Sequence, residues 1–421
     1  MASPARPPTS PGRWIQDGAI LTFASFLAAV GSYLFQALMR RHLPWSEFGY
    51  LNTTLSLITF AGIPLAAASQ TVTHHLALIG AGGDKEKMAQ FQAASLKLLR
   101  RLTWILFALC LLLIYPVATF LHFPRLSLVG VSLLSIPVNL WGALGVAWCA
   151  GLSRFRLLSL LLIFAVVVRI ATGALIADFF PWAESGIMAN LLSGVVLALV
   201  VALSPHHATA VQVRQLLLDR ELLTYGAAAM AVCFGTFVFL QSDQILAQRY
   251  FPGDELGRYS GAGLLGRAIV WASLPLLTIY FTRRSGHSPG NQSPSWLLGV
   301  YLVLIFAGAG FLTLVKEPLL QLFLGVRDPS LVDLAGQFAV SMVPIGILQA
   351  VGYYYLAARR IYECMAFGVC GLVYLIVLSI WGLTPTLMLH GMGIAASLSL
   401  LFLGAFTLLY RIDLSTPPSS A

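Results

Sequence analysis

Charge is scarce in this chain. Only 10% of its 421 residues are Asp, Glu, Lys or Arg, and 58% are hydrophobic. A soluble domain carries about 25% charge, so lipid is the expected solvent for most of this protein. Alternating ten-residue strand patterns between turns are lacking, which argues against a membrane β-barrel. Cysteine is sparse as well: Cys110, Cys149, Cys233, Cys364 and Cys370 lie in or beside apolar runs. None has metal-binding spacing, so free buried thiols and no metal are expected. No phosphate-cradling Walker loop is present, which removes ATP hydrolysis. Ser-x-x-Lys, His-Glu-x-x-His and nucleophile-elbow patterns are lacking too. No long loop on the expected outer side clusters Asp, His or Arg, as a glycan polymerase or ligase would need. The chain is therefore not expected to be an enzyme or to hold a cofactor.

What the chain has is apolar runs of about 20 residues, each long enough to cross about 30 Å of hydrocarbon as a helix. Twelve spans are expected, at 16–38, 47–79, 102–121, 127–151, 156–178, 184–204, 221–248, 255–282, 295–315, 332–358, 361–382 and 386–410. Span 2 carries Gly62 and Pro64 and should kink. The first apolar stretch is too long for a signal-peptide core, so it reads as an uncleaved span. The Pro-rich residues 1–15 read as a disordered tail. Residues 16–204 form one expected six-helix bundle and 221–410 the other. Residues 205–220 are expected as a cytoplasmic linker helix, and 411–421 as a tail. With the N-terminus in the cytoplasm, 16 basic residues fall on the inner side, 7 on the outer side and 2 inside spans. Both termini are thus expected in the cytoplasm. The net charge of +9 belongs to this topology and not to a nucleic-acid partner. Lys85 to Arg101, with Met88, Phe91, Leu98 and Leu99 among basic residues, reads as a helix lying on the inner leaflet. Residues 285–295, rich in Ser, Gly and Pro, read as a flexible loop.

One stretch occurs twice. LMRRHLPWSEFG begins at Leu38 and LAQRYFPGDELG at Leu246, a constant offset of 208. The pairs Leu38/Leu246, Arg41/Arg249, Pro44/Pro252, Glu47/Glu255 and Gly49/Gly257 coincide, as do Gln36 and Gln244 upstream. The prolines end a helix, the glutamates meet the positive start of the next, and the glycines permit close packing. An offset of six spans gives two copies of the same orientation, related by a pseudo-twofold axis along the membrane normal. Repeats of that kind place a substrate path between the halves.

Charges inside spans are costly, so they face a cavity or a partner. Asp243 lies in span 7, flanked by Gln241 and Gln244, and Arg267 lies in span 8. The latter continues a small, polar stripe that includes Ser260 and Gly261. Asp243 and Arg267 make either a structural ion pair or two walls of a hydrophilic cavity. Arg169 stands alone in mid-span 5, lining a cavity or paired to polar groups. Asn52, Thr53, Ser56 and Thr59 form the matching stripe on span 2. Asp17 reads as a helix cap, His74 and His75 as interfacial residues, and His390 has no evident partner.

On ALMRRHLPWSEFGYLN, LSRF at the end of span 4, and the stretch from Ser242 to Leu276, the chain resembles the oligosaccharide flippases of the multidrug/oligosaccharidyl-lipid/polysaccharide exporter superfamily. It departs from their pattern at Cys149-Ala150, and it lacks the two further spans typical of the peptidoglycan-precursor flippases. The resemblance implies an all-α, V-shaped transporter in which spans 1, 2, 7 and 8 line a central, often cationic cavity. The implied cargo is an oligosaccharide on polyprenyl pyrophosphate, flipped across the bacterial inner membrane by alternating access. Glycosyltransferases and a polysaccharide polymerase of the same pathway would be partners, along with membrane lipids. Arg267 and Arg169 would attract the pyrophosphate, and Gln36, Gln241, Gln244 and Asn52 the sugar hydroxyls. Asp243 would couple transport to H⁺ or Na⁺, or pair with Arg267. A cation-coupled drug or metabolite antiporter of the same architecture is the alternative, and a membrane glycan polymerase or ligase a third.

Overall fold

The computed structural model describes residues 11–81, 83–152, 154–203, 220–285, 295–326 and 328–415, and every element among them is helical. In chain order these are α1 (Pro11–His42), α2 (Trp45–Ala61), α3 (Ile63–Ala81), α4 (Lys85–Phe120), α5 (Leu126–Gly151), α6 (Phe155–Phe179) and α7 (Ala183–Leu203). There follow α8 (Arg220–Tyr250), α9 (Gly253–Ser285), α10 (Trp296–Leu324), α11 (Pro329–Ala357), α12 (Ile361–Trp381) and α13 (Pro385–Ser415). Eleven helices are long and apolar enough to cross a membrane, and α2 with α3 makes a twelfth, bent by 48°. The bend falls at Gly62, where expected. Pro64 has no N–H to give to the turn before it, so the ladder breaks there. Large apolar side chains such as Leu112, Leu314 and Leu401 are exposed around the outside, as lipid contact requires.

The two halves repeat one packing plan. In the first, α1 packs on α6, α5 on α7, and α5 on α2, α3 and α4. In the second, α8 packs on α12, α11 on α13, and α11 on α9 and α10. Counting α2–α3 as one span, these are the same pairs shifted by six. The halves meet through α2 and α3 against α8, and through α1 and α2 against α9. Spans 1, 2, 7 and 8 therefore form the seam.

Two expectations change. The segment 85–101 does not lie apart on the leaflet, because it is the first half of α4, an unbroken helix of 36 residues. Such a helix is about 54 Å long and outruns the hydrocarbon. Phe91, Leu96 and Leu99 pack in one apolar cluster with Leu76, Leu144 and Trp148, which holds the projecting end against the bundle. Helix α1 begins at Pro11, inside the segment expected to be disordered. Proline fits a first turn, where its missing N–H costs nothing. Residues 1–10, 205–219, 286–294 and 416–421, carrying most of the tail, linker and loop expectations, lie outside the described residues, as do the side chains of Asp17 and His74.

Candidate functional site: a polar cavity in the seam

The duplicated corner forms one end of the seam. A Cβ on Gly257 would sit 2.1 Å from the Trp45 carbonyl oxygen, and one on Gly49 2.8 Å from Leu256 Cγ. Backbone meets backbone here only because both positions lack a side chain. Just below, polar groups join the halves. Ser56 donates to Gln241 Oε1 at 2.7 Å. Gln244 donates across the seam to Thr53 at 3.3 Å and, within its own half, to Ser260 at 2.6 Å.

Beyond this seal lies a cavity of about 270 Å³ between the halves. Gln36 and Ser32 reach it from α1, Asn52 and Ser56 from α2, Arg169 from α6 and Asn190 from α7. Gln241 reaches it from α8, and Arg267 and Trp271 from α9. Of the eight residues singled out in the sequence, Gln36, Asn52, Arg169, Gln241 and Arg267 thus face the cavity. Asp243, Gln244 and Ser260 do not, being 0%, 0% and 1% exposed. The helical period explains Asp243, which is turned about 160° from Gln241 and points into the second half. Gln244, only about 60° from Gln241, lies one turn nearer the corner and is taken up by Thr53 and Ser260.

Arg267 and Asp243 are a buried ion pair, with Nη2 2.5 Å from Oδ2. The same Oδ2 accepts from the Tyr259 hydroxyl at 2.8 Å. Arg267 Nε donates to the Leu240 carbonyl at 3.0 Å, and the Phe338 ring lies 5.6 Å from the guanidinium carbon. A Cβ at Gly263 would approach Nη1 to 2.8 Å, so that glycine makes room for the guanidinium. Asp243 Oδ1 is buried with no hydrogen-bond partner.

Arg169 is different. Its guanidinium carbon lies 4.2 Å over the Phe35 ring, and its Nε has no partner. Among the described residues no carboxylate pairs with it. Gln36 Oε1, on the same wall, is also unpartnered. The cavity therefore carries one neutralised and one uncompensated guanidinium, among amides and hydroxyls. Such a lining attracts an anionic group and hydrogen-bonds a polyhydroxyl one. Asn190 and Ser32 were not singled out in the sequence. Asn190 is an amide in an apolar span, a signal of the kind that marked Arg169. Among the described residues there is no group of three His, Cys, Asp or Glu side chains able to hold a metal ion.

No protein-family model matches the chain, and no curated protein matches it. Solved structures do. An inward-facing multidrug resistance MATE family transporter of the MOP superfamily has a TM-score of 0.64 at 14% identity, over 95% of this chain and 100% of that one. An outward-facing member of the same transporter family has a TM-score of 0.65 at 13% identity, over 95% and 96%. The lipid II flippase MurJ in an inward closed conformation has a TM-score of 0.67 at 12% identity, over 94% and 87%. The chain thus shares its fold with these solved transporters.

Proposed function

We propose that this protein is a flippase that moves a polyprenyl-pyrophosphate-linked oligosaccharide across the bacterial inner membrane by alternating access. The observation that carries the reading is the uncompensated Arg169 guanidinium, set beside Gln36, Asn52, Asn190 and Gln241 in a cavity between two like halves. A pyrophosphate satisfies a guanidinium by bidentate contact, and amides exchange hydrogen bonds with sugar hydroxyls. With both termini cytoplasmic, the duplicated corner faces outward, and the arrangement is closed on that side. Asp243 is our candidate for coupling to H⁺ or Na⁺. A cation at the unpartnered Oδ1 would weaken its hold on Arg267 and free a second guanidinium for the cargo.

The cation-coupled multidrug antiporter is the second reading, and the multidrug transporters among the structural neighbours favour it. The sign of the cavity weighs against it, because an unpaired guanidinium repels cationic drugs. The two readings separate in proteoliposomes. A fluorescent polyprenyl-pyrophosphate-linked oligosaccharide should cross in the presence of the protein, measured by quenching of the label from outside, and Arg169→Ala should stop it. Efflux of cationic dyes on overexpression, without movement of that lipid, would overturn the flippase reading. Loss of transport in Asp243→Asn under either ion gradient is expected if Asp243 couples.

A further inference from the structure

Two hydrogen bonds at the corner end cross between the halves in opposite directions. Arg41, at the end of α1, donates from Nη2 to the Leu322 carbonyl at 3.0 Å. Arg249, at the end of α8, donates from Nη1 to the Phe120 carbonyl at 3.1 Å. Arg41 and Arg249 are the basic pair of the duplicated stretch. Their acceptors correspond as well. Phe120 ends α4, the third span of the first half, and Leu322 lies in the last turn of α10, the third span of the second.

The chemistry suits a reversible clasp. The last four carbonyls of a helix have no partner within it and carry its negative end, so a guanidinium both completes a hydrogen bond and meets a favourable dipole. A carbonyl, unlike a carboxylate, leaves the arginine free to be solvated when the contact opens. The Arg249 guanidinium carbon also lies 4.4 Å over the Phe120 ring. We propose that Arg41 and Arg249 are a matched pair of latches, each capping a helix end of the opposite half, that hold the corner end closed and must both release before it opens. The proposal rests on the alternating-access reading but not on the identity of the cargo.

The test reads the opening directly, without cargo. Spin labels go on Leu126→Cys in the first half and Leu383→Cys in the second, both exposed near the corner end. The five native cysteines are buried. Inter-label distances are measured by pulsed electron resonance in nanodiscs. The parent should give mainly the short, closed distance. Arg41→Ala and Arg249→Ala should each raise the ratio of long to short distances by about fivefold, and the double variant by about the product of the two. Arg41→Gln and Arg249→Gln replace the alanines should alanine cost folding. Arg258→Ala, which breaks an ion pair with Asp328 inside one half, should leave the distribution as in the parent. Parent-like distances in the folded double variant would overturn the proposal. So would opening by only one of the two arginines, or equal opening by Arg258→Ala. A cargo other than a lipid-linked glycan would leave every one of these readings unchanged.

Discussion

At the residue scale, two arginines in one cavity have opposite duties. Arg267 belongs to a closed ion pair, so removing either partner strands a buried charge. Arg267→Ala should cost about 3–5 kcal/mol of stability. Replacing both by Met and Leu should cost less than removing Arg267 alone, and the order can be read from thermal unfolding in detergent. Arg169 has no acid to strand. Arg169→Ala should leave unfolding nearly unchanged and lower transport by at least about tenfold, while Arg169→Lys, a point charge without the planar fork, should retain part. Transport unchanged in Arg169→Ala at equal protein level would remove it from the path. Both arginines were legible in the sequence, because a charge in an apolar span calls for a reason. Whether Asp243 faced the gap or the bundle was not. The answer depends on where α9 sits, and a single helix carries no record of its neighbour.

At the element scale, the duplicated corner is fastened differently in its two copies. Glu47 accepts from Arg125 at 2.6 Å and from the Ala183 backbone N–H at 2.8 Å, tying the start of α2 to those of α5 and α7. Glu184 holds the same guanidinium at 3.0 Å. Burial alone would lower the Arg125 pKa, but its hydrogen bonds and charge contacts with the two glutamates outweigh that and raise it. In the second half Glu255 is exposed, and the equivalent starts of α9 and α11 are joined instead by Arg258 and Asp328, with the signs exchanged. Glu47→Gln should therefore lower the unfolding temperature clearly, and Glu255→Gln hardly at all, although the two residues match in sequence. Equal effects would mean that the contacts to Arg125 and Ala183 contribute nothing. The repeat was legible as a motif because both copies need the same turn and the same close approach. The exchange of sign was not, since it involves residues outside the motif. Likewise α4 could not be read as continuous from Lys85, because basic residues within an apolar period fit both a surface helix and a projecting one.

At the scale of the whole molecule, the six-plus-six plan followed from spacing alone, and the same helix pairs do recur in both halves. Which end of the seam is shut did not follow, because shutting it depends on contacts between residues about 200 positions apart. The glycine contact turns this into an experiment. A Cβ on Gly253 would lie 3.7 Å from Ser46 Cβ across the corner, so a disulfide between Ser46→Cys and Gly253→Cys should form on oxidation. With a protease site inserted between the halves, in 205–219, the cleaved halves should stay joined on a non-reducing gel. Under alternating access the oxidised protein cannot open its corner end, so transport should stop and should return on reduction. The cavity lies on the other side of the seal, so anionic cargo entering from the opposite end should still bind, and binding should still depend on Arg169. Transport that continued at full rate through a quantitatively cross-linked corner would mean that cargo never passes between the corners. The seam would then be a structural interface, and its polar cavity would need another purpose.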